Sequence, residues 1–389
     1  MKLYILNKDY EQIALIDEAD SILWQKKFND IGECEIYLPC NYENLEVLQV
    51  GNYVYRYDDD MFLQIKTLEI ETDVEKGDYI IATATDMCTI FSNRIVLDGI
   101  FYSGEVGNFL QKVIYDNVID CIDEQRNIAN LTLDDESFNA ITDWITKETQ
   151  SEDILQLIIS TCKTYNIGFR VKYNPDTKKL VMGLKRGKNK ATTQSEEYIE
   201  FSPTFSNILS SSYKEDSSNY KNFAYIGAKD VNEKLMFMTV WQGDTEPSGE
   251  NRKEIYVDAT SQSREISVEE LLLIYPDARL SGNTYSATID GISTPVAKIN
   301  EDKVILENIA FEKLLNIIGL NALIEHNRTQ TFSGNVDTID TYEYKKDFDL
   351  GDIVRVVNEY GISANAQIIE IFESEDNEKG YEIEPKFQF

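Results

Sequence analysis

Gly51-Asn52-Tyr53-Val54-Tyr55-Arg56 runs, past a turn of three aspartates, into Leu63-Gln64-Ile65-Lys66-Thr67-Leu68-Glu69-Ile70. Near the other end, Gly351-Asp352-Ile353-Val354-Arg355-Val356 runs into Ala366-Gln367-Ile368-Ile369-Glu370-Ile371. Each is a Gly-Asn or Gly-Asp pair, an alternating segment, a turn, and a second alternating segment with Gln-Ile near its start. Alternation of apolar and polar residues marks a half-buried strand. Two hairpins of one pattern read as a duplicated small β-barrel, one near each end. The plain alternative is that two short hairpins look alike by chance.

Around the first hairpin the chain stays β. Leu3–Leu6, Gln12–Ile16, Ser21–Phe28 and Glu33–Pro39 alternate, and Pro39 ends its strand because proline cannot continue a ladder. Residues 78–85 continue the sheet. After Tyr102 the rhythm changes to 3.6 residues: Val106, Phe109, Leu110, Val113 and Ile114 predict a helix over 105–122. A second helix is predicted over 150–165, opened by Ser151-Glu152-Asp153. Asn174-Pro175-Asp176-Thr177 is the turn of a hairpin between 168–173 and 179–184.

Strand patterning returns at 201–213, 222–228, 235–241 and 253–257, with a loop by composition at 242–249. Helices are predicted at 267–275 and 308–326, with a short strand region between them, and strands at 330–336, 353–357 and 366–372 close the chain. The order β, α/β, β, α/β, β predicts an α+β multi-domain fold with two small β-barrels and two inserted α/β domains. The expected division is 1–99, completed by about 200–230, for the first barrel, and 100–199 for the first insertion. Residues 231–260 plus 329–389 make the second barrel, and 261–328 the second insertion.

Composition narrows function. The 389 residues carry 37 Lys plus Arg against 69 Asp plus Glu, a formal charge of −32. Such a surface repels phosphate backbones and anionic membranes. No stretch approaches the ~18 apolar residues of a membrane helix, so no membrane anchor is expected. Five cysteines, none at C-x-x-C spacing, argue against a disulfide scaffold or zinc knuckle and suit a reducing cytoplasm.

His326 is the one histidine, so a Ser-His-Asp triad would have to use it. At a helix end, the dipole alone explains its presence. Asp58-Asp59-Asp60 could chelate a hard cation but lacks the glycine and distal glutamate of an EF-hand loop. It reads as a solvated hairpin tip, and Asp134-Asp135-Glu136 reads likewise. No P-loop, H-E-x-x-H or G-x-S-x-G occurs. No residue is therefore nominated as catalytic, cofactor-binding or metal-ligating, and no cofactor is expected. One basic cluster, Lys178-Lys179 through Lys185, Arg186, Lys188 and Lys190, is either a lysine-guarded hairpin edge or a docking patch for an acidic partner.

Several strings, taken in order, resemble the siphophage tail-hub proteins, the Gp37-like or Tal-type tail-associated family. They are Asp20-Ser21-Ile22-Leu23-Trp24 with 32–39, Gly51 to Asp60, Phe205 to Tyr213 followed by Ser218 to Asn222, Arg252 to Ala259, and Tyr344 to Val354. The resemblance spans about residues 1–385. It implies a non-enzymatic homotrimeric baseplate hub, assembled in the host cytoplasm and working at the virion tail tip. Each protomer would supply two related barrels to a pseudo-sixfold ring that joins a hexameric tube to a threefold tip. Its expected partners are the distal tail protein, tail tube, tape measure and tip or receptor-binding proteins. DNA would pass through without specific binding; the acidity predicts a lumen lined with Asp and Glu, with Lys185, Arg186 and Lys188 outside it or at a subunit contact, and the plain alternative is that the acidity only keeps the protein soluble. The alternatives are a carbohydrate-binding adhesion module and, behind it, a cell-wall hydrolase.

Overall fold

The structure is a computed structural model, and it describes all residues except 74–76, 98, 150, 192–196, 206, 209, 211, 231, 233, 290, 302, 334–341, 378–379 and 389. The expected strand at 330–336 is described only as Thr329–Ser333, and that at 201–213 falls partly outside the described residues.

The protein is mostly β, and the described residues form one 13-stranded sheet and four smaller ones. In the large sheet, five strands occur in the order 21–27, 33–39, 77–86, 62–73, 53–55. Five more occur in the order 212–216, 329–333, 380–388, 363–376, 353–357. Every pairing within each set is antiparallel. These are the first and second units. Each buries its own apolar set: Ile22, Trp24, Ile36, Leu63 and Ile80 in the first, Phe201, Phe332, Val354, Ile368 and Phe387 in the second.

No closed barrel is found among the described residues. The reason lies in strand Ser363–Asp376, whose first half pairs with 353–357 and whose second half pairs with 21–27 of the other unit. The two units therefore run into one open sheet. The pairing also places 212–216 in the second unit. Strands 235–241 and 254–258 do not join 329–389; they flank strand 223–229 in a separate three-stranded sheet. Their apolar face packs Ala224, Ile226 and Val240 against Phe311, Leu314 and Leu315 of helix Asn308–Glu325. Alternation alone cannot distinguish a strand that faces a sheet from one that faces a helix. Gly319 makes this contact possible, since a Cβ there would lie 2.5 Å from Val240.

The first insertion packs Phe109, Leu110, Ile158, Phe169 and Met182 into a core it shares with Leu6, Tyr53, Tyr55 and Phe62 of the first unit. Helix Ile154–Tyr165 starts where Asp153 accepts from the Gln156 backbone N–H at 2.9 Å, and it ends at the left-handed Asn166. The helix expected over 105–122 is α only through Val106–Ile114, then continues as a π turn to Ile119. The predicted hairpin is present as Gly168–Asn174 and Lys179–Lys185. Helices Tyr42–Val47 and Asp135–Asn139, and strands Leu131–Leu133 and Trp144–Thr149, carry no periodic signal long enough to read.

A candidate assembly interface

The hairpins that begin at Gly51-Asn52 and Gly351-Asp352 share their backbone geometry. Gly51 and Gly351 both take left-handed φ, +96° and +95°. Gly51 N–H donates to Ile65 O at 2.9 Å, and Gly351 N–H to Ile368 O at 2.8 Å. Ile65 N–H returns to Asn52 O, and Ile368 N–H to Asp352 O. The Gln64 amide reaches Gly51 O and the Gln367 amide reaches Gly351 O. Register agrees too: Tyr53 faces Gln64 as Ile353 faces Gln367. A bulge follows in both, at Ile65/Thr67 and Ile368/Glu370, and both long strands turn back near a left-handed glycine, Gly77 and Gly380. A bulge adds a residue and bends the strand, so matched bulges are a designed feature. Glu373 thereby corresponds to Ile70, and Lys345 to Leu45.

The joint between the units is ionic and buried. The tip at Asp58–Asp60 is solvated only in part: Asp58 is exposed, while the Asp59 side chain is buried and accepts from Lys26 at 3.2 Å and from Lys345 at 2.7 Å. Lys26 also pairs with Asp60, and Lys345 donates to Asp58 O at 2.6 Å. Burial alone would raise the Asp60 carboxyl; Lys26 and Arg170 outweigh it and hold that carboxyl far below the usual carboxylate range. Asp59 is likewise depressed against its burial by Lys26 and Lys345. Burial would lower Lys26, but the two carboxylates raise it. Arg56 donates to Asp58 at 2.6 Å and to Glu373 of the second unit at 3.2 Å, and its guanidinium lies 5.1 Å from the Trp24 ring centroid. Phe28 crosses the joint as well, its N–H donating to Ile369 O at 2.8 Å and its ring filling the second core.

The lysines occupy the aspartates that a cation would need. Among the described residues, no group of three or more His, Cys, Asp or Glu side chains is arranged to hold a metal ion. Asp134 caps the short helix after it, accepting from Ser137 N–H. His326 ends its helix with Nδ1 2.9 Å from Ala322 O. Lys185, Arg186 and Lys188 are exposed on the first insertion and pair with Asp349, Asp143 and Glu197. Lys26, Arg56, Lys345 and Glu373, which make the joint, went unnominated. The available signal was parity: each of Ile22-Trp24-Lys26, Val54-Arg56 and Ile371-Glu373 ends an inward-facing run on a charge.

Several edges of the large sheet are open among the described residues: strand 12–16 pairs only with 3–6, and two further stretches lie at the ends of the two units. Strand 62–73 pairs on one side with 53–55 only through Gln64, leaving 67–73 uncovered there. Strand 212–216 pairs only with 329–333. By the hairpin correspondence these are the edges that 363–376 and 21–27 use to join the units. The consequence shows in burial: Glu373 is 1% exposed and its counterpart Ile70 is 54% exposed.

The large sheet's outer face is acidic. Glu33, Glu35, Glu69, Glu71, Glu382 and Glu384 share it by strand alternation, with Lys27, Lys214 and Lys386 on the same side.

No curated protein sequence matches the chain. Among solved structures, it is similar to a tail protein from Neisseria meningitidis MC58, with 10% identity, TM-score 0.55, and coverage of 100% of this chain and 96% of that one. It is similar to a 43 kDa tail protein of prophage MuSo2 from Shewanella oneidensis, with 10% identity, TM-score 0.52, and 100% and 98% covered. Prophage tail protein gp18 from Listeria monocytogenes EGD-e is also similar, with 15% identity, TM-score 0.50, and 99% and 94% covered. These likenesses show a shared fold. Residues 2–387 match the family described as Siphovirus ReqiPepy6 Gp37-like protein, and the chain, duplicated hairpins and all, belongs to that phage tail family.

Proposed function

We propose that this chain is the protomer of a trimeric tail-tip hub ring that joins the hexameric tube to the threefold tip and lets DNA through. One observation carries the reading. The two units are joined head to tail by strand pairing, and the same two edges are left open at the ends of the pair. A heterologous contact that repeats makes a ring when its rotation closes. Two units per chain and three chains give six equivalent positions, which suits a sixfold tube. Closure of the sheet would then come from neighbouring copies rather than within one chain.

The acidic outer face supports the passage role. Lining the channel, it would repel phosphates at short range, with salt screening only beyond ~8–10 Å. Lys185, Arg186 and Lys188 lie on the insertion, each paired with a carboxylate, and in this reading they do not face the channel. Distal tail, tube, tape-measure and tip proteins are the proposed neighbours at the ring's two rims. Sedimentation equilibrium tests the ring: the expected species has the mass of three chains, and a chain still monomeric at hundreds of micromolar would sink it.

One observation favours a second reading. Phe237 and Tyr256 are exposed on the three-stranded sheet, their ring centroids 6.4 Å apart. Exposed aromatics suit sugar stacking, so a glycan-binding module is the alternative; calorimetric titration with host wall glycan separates it from a purely structural role.

A further inference from the structure

Within the chain, the first hairpin's tip seats on the segment that precedes the second unit's glycine, through Lys345 against Asp58 and Asp59. Units that repeat around an axis repeat their contacts. The second hairpin's tip must then seat on the segment preceding Gly51 in another copy. The two segments align at both ends, Tyr42-Glu43 with Tyr342-Glu343 and Val50-Gly51 with Leu350-Gly351, although 42–47 is helical and 342–350 is built of turns.

Both surfaces required for that second contact expose large apolar side chains, set among the exposed Glu43, Glu46 and Glu359. On the receiving side Tyr42 is 93% and Val50 53% exposed, whereas Leu350, the counterpart of Val50, is 4% exposed. On the incoming side Tyr360 is 84% exposed, with the partly exposed Ile362 beside it. The tip is nevertheless ordered. Asn358 accepts from the backbone N–H groups of Tyr360 and Ile362 at 3.0 and 2.9 Å, and Gly361 takes φ +79°. An ordered turn that presents an uncovered aromatic loses little entropy on docking.

Strand register makes an independent match. Glu373 faces Trp24, and the matched pairings Trp24–Cys34–Ala84 and Tyr213–Phe332–Phe387 equate Trp24 with Tyr213. The same geometry between copies places Ile70 opposite Tyr213 and Glu69 opposite Lys214. An aliphatic-aromatic pair and an opposite-charge pair both stabilise antiparallel neighbours.

We propose that neighbouring copies of this chain are locked by the tip at residues 358–362 of one seated on segment 42–50 of the next, with Tyr360 and Ile362 meeting Tyr42 and Val50. The lock rests on the ring reading and adds a chemical distinction to it. The tip contact inside a chain is made by buried ion pairs, while the tip contact between chains is made by apolar side chains that release water on docking.

The test uses the full chain in a Cys40→Ser background, with Tyr42→Cys and Tyr360→Cys combined and a short bis-maleimide added. All three changed side chains are at least partly exposed, so folding is not at stake. The lock predicts covalent dimers and trimers on denaturing gels from the double variant and none from either single variant. A second variant, Tyr360→Asp, is expected to weaken association at least tenfold in sedimentation. Trimers that sediment normally yet fail to cross-link, and that tolerate Tyr360→Asp, would overturn the lock and leave the ring standing. A monomeric parent chain would overturn both.

Discussion

Arg56 and Glu373 lie 317 positions apart and meet in a buried ion pair at 3.2 Å, the link between the two units. Removing one partner of such a pair strands the other charge away from water. Arg56→Met should therefore lower stability by roughly 3–5 kcal/mol. Replacing both residues with Met should recover most of the loss, because no buried charge is left unpaired; Asp58, which also loses Arg56, is exposed to water. Urea midpoints of the two single variants and the double variant check this; equal losses in single and double would contradict it.

The Asp59–Asp60–Lys26 cluster fixes a pH window. Its carboxyls are depressed, so their contribution is complete above the ordinary carboxylate pKa and is lost as pH falls through the folded values. Lys26 is raised, so its contribution is complete below the ordinary lysine value and is lost as pH rises through the folded one. The joint should hold between roughly pH 4 and pH 10. Lys26→Met should be less stable at neutral pH and show a shallower loss of melting temperature on acidification below pH 4. A parallel acid limb in wild type and variant would refute the coupling.

The matched glycines should not tolerate alanine equally. Both positions demand a left-handed backbone, which costs an L-residue about 1–2 kcal/mol. At Gly51 the nearest atom to an added Cβ is the flexible Lys8 Cε, at 2.9 Å. At Gly351 it is the buried Phe28 ring, at 2.2 Å. Gly351→Ala is expected to cost about 1–3 kcal/mol more than Gly51→Ala through overpacking. Phe28→Leu in the Gly351→Ala background should return part of that difference in thermal melts.

Thiol reactivity should be confined to one site. Burial pushes up the Cys34, Cys88 and Cys162 thiols, and burial raises Cys121 too. Only Cys40 is more than marginally exposed. A chromogenic disulfide reagent should titrate one thiol quickly in the native protein and five in denaturant. Fast labelling of Cys88 or Cys162, located by peptide mapping, would show that the first insertion opens readily.

The strands were the legible part of the fold, because alternation writes their inward face into the residues themselves. The likeness of the two hairpins was legible from the Gly-Asn or Gly-Asp pair taken with the alternating segments and Gln-Ile that follow, since a left-handed turn restricts what can stand there. Membership of strands 235–241 and 254–258 was not, because their apolar sides would suit a sheet or a helix equally. The joint was half legible. Arg56, Lys26 and Glu373 stand at inward parity, which announces a buried charge, but nothing local to Asp58–Asp60 names Lys345 as its partner. That pairing depends on a strand shared between distant segments, and pattern reading within a window cannot see it.

The pairing of strand 21–27 with strand 363–376 also imposes an order in time. Gln25 bonds to Glu370, which is synthesised 345 positions later. At ~5–20 residues per second a ribosome leaves the first unit waiting roughly 20–70 s for its neighbour. During that interval the edge of 21–27 can be taken by strand 363–376 from another nascent chain. The exchange would be geometrically faithful, since both donors carry the same strand. Truncated translation products, which hold the acceptor edge and never the donor, would be the species that poison tail assembly.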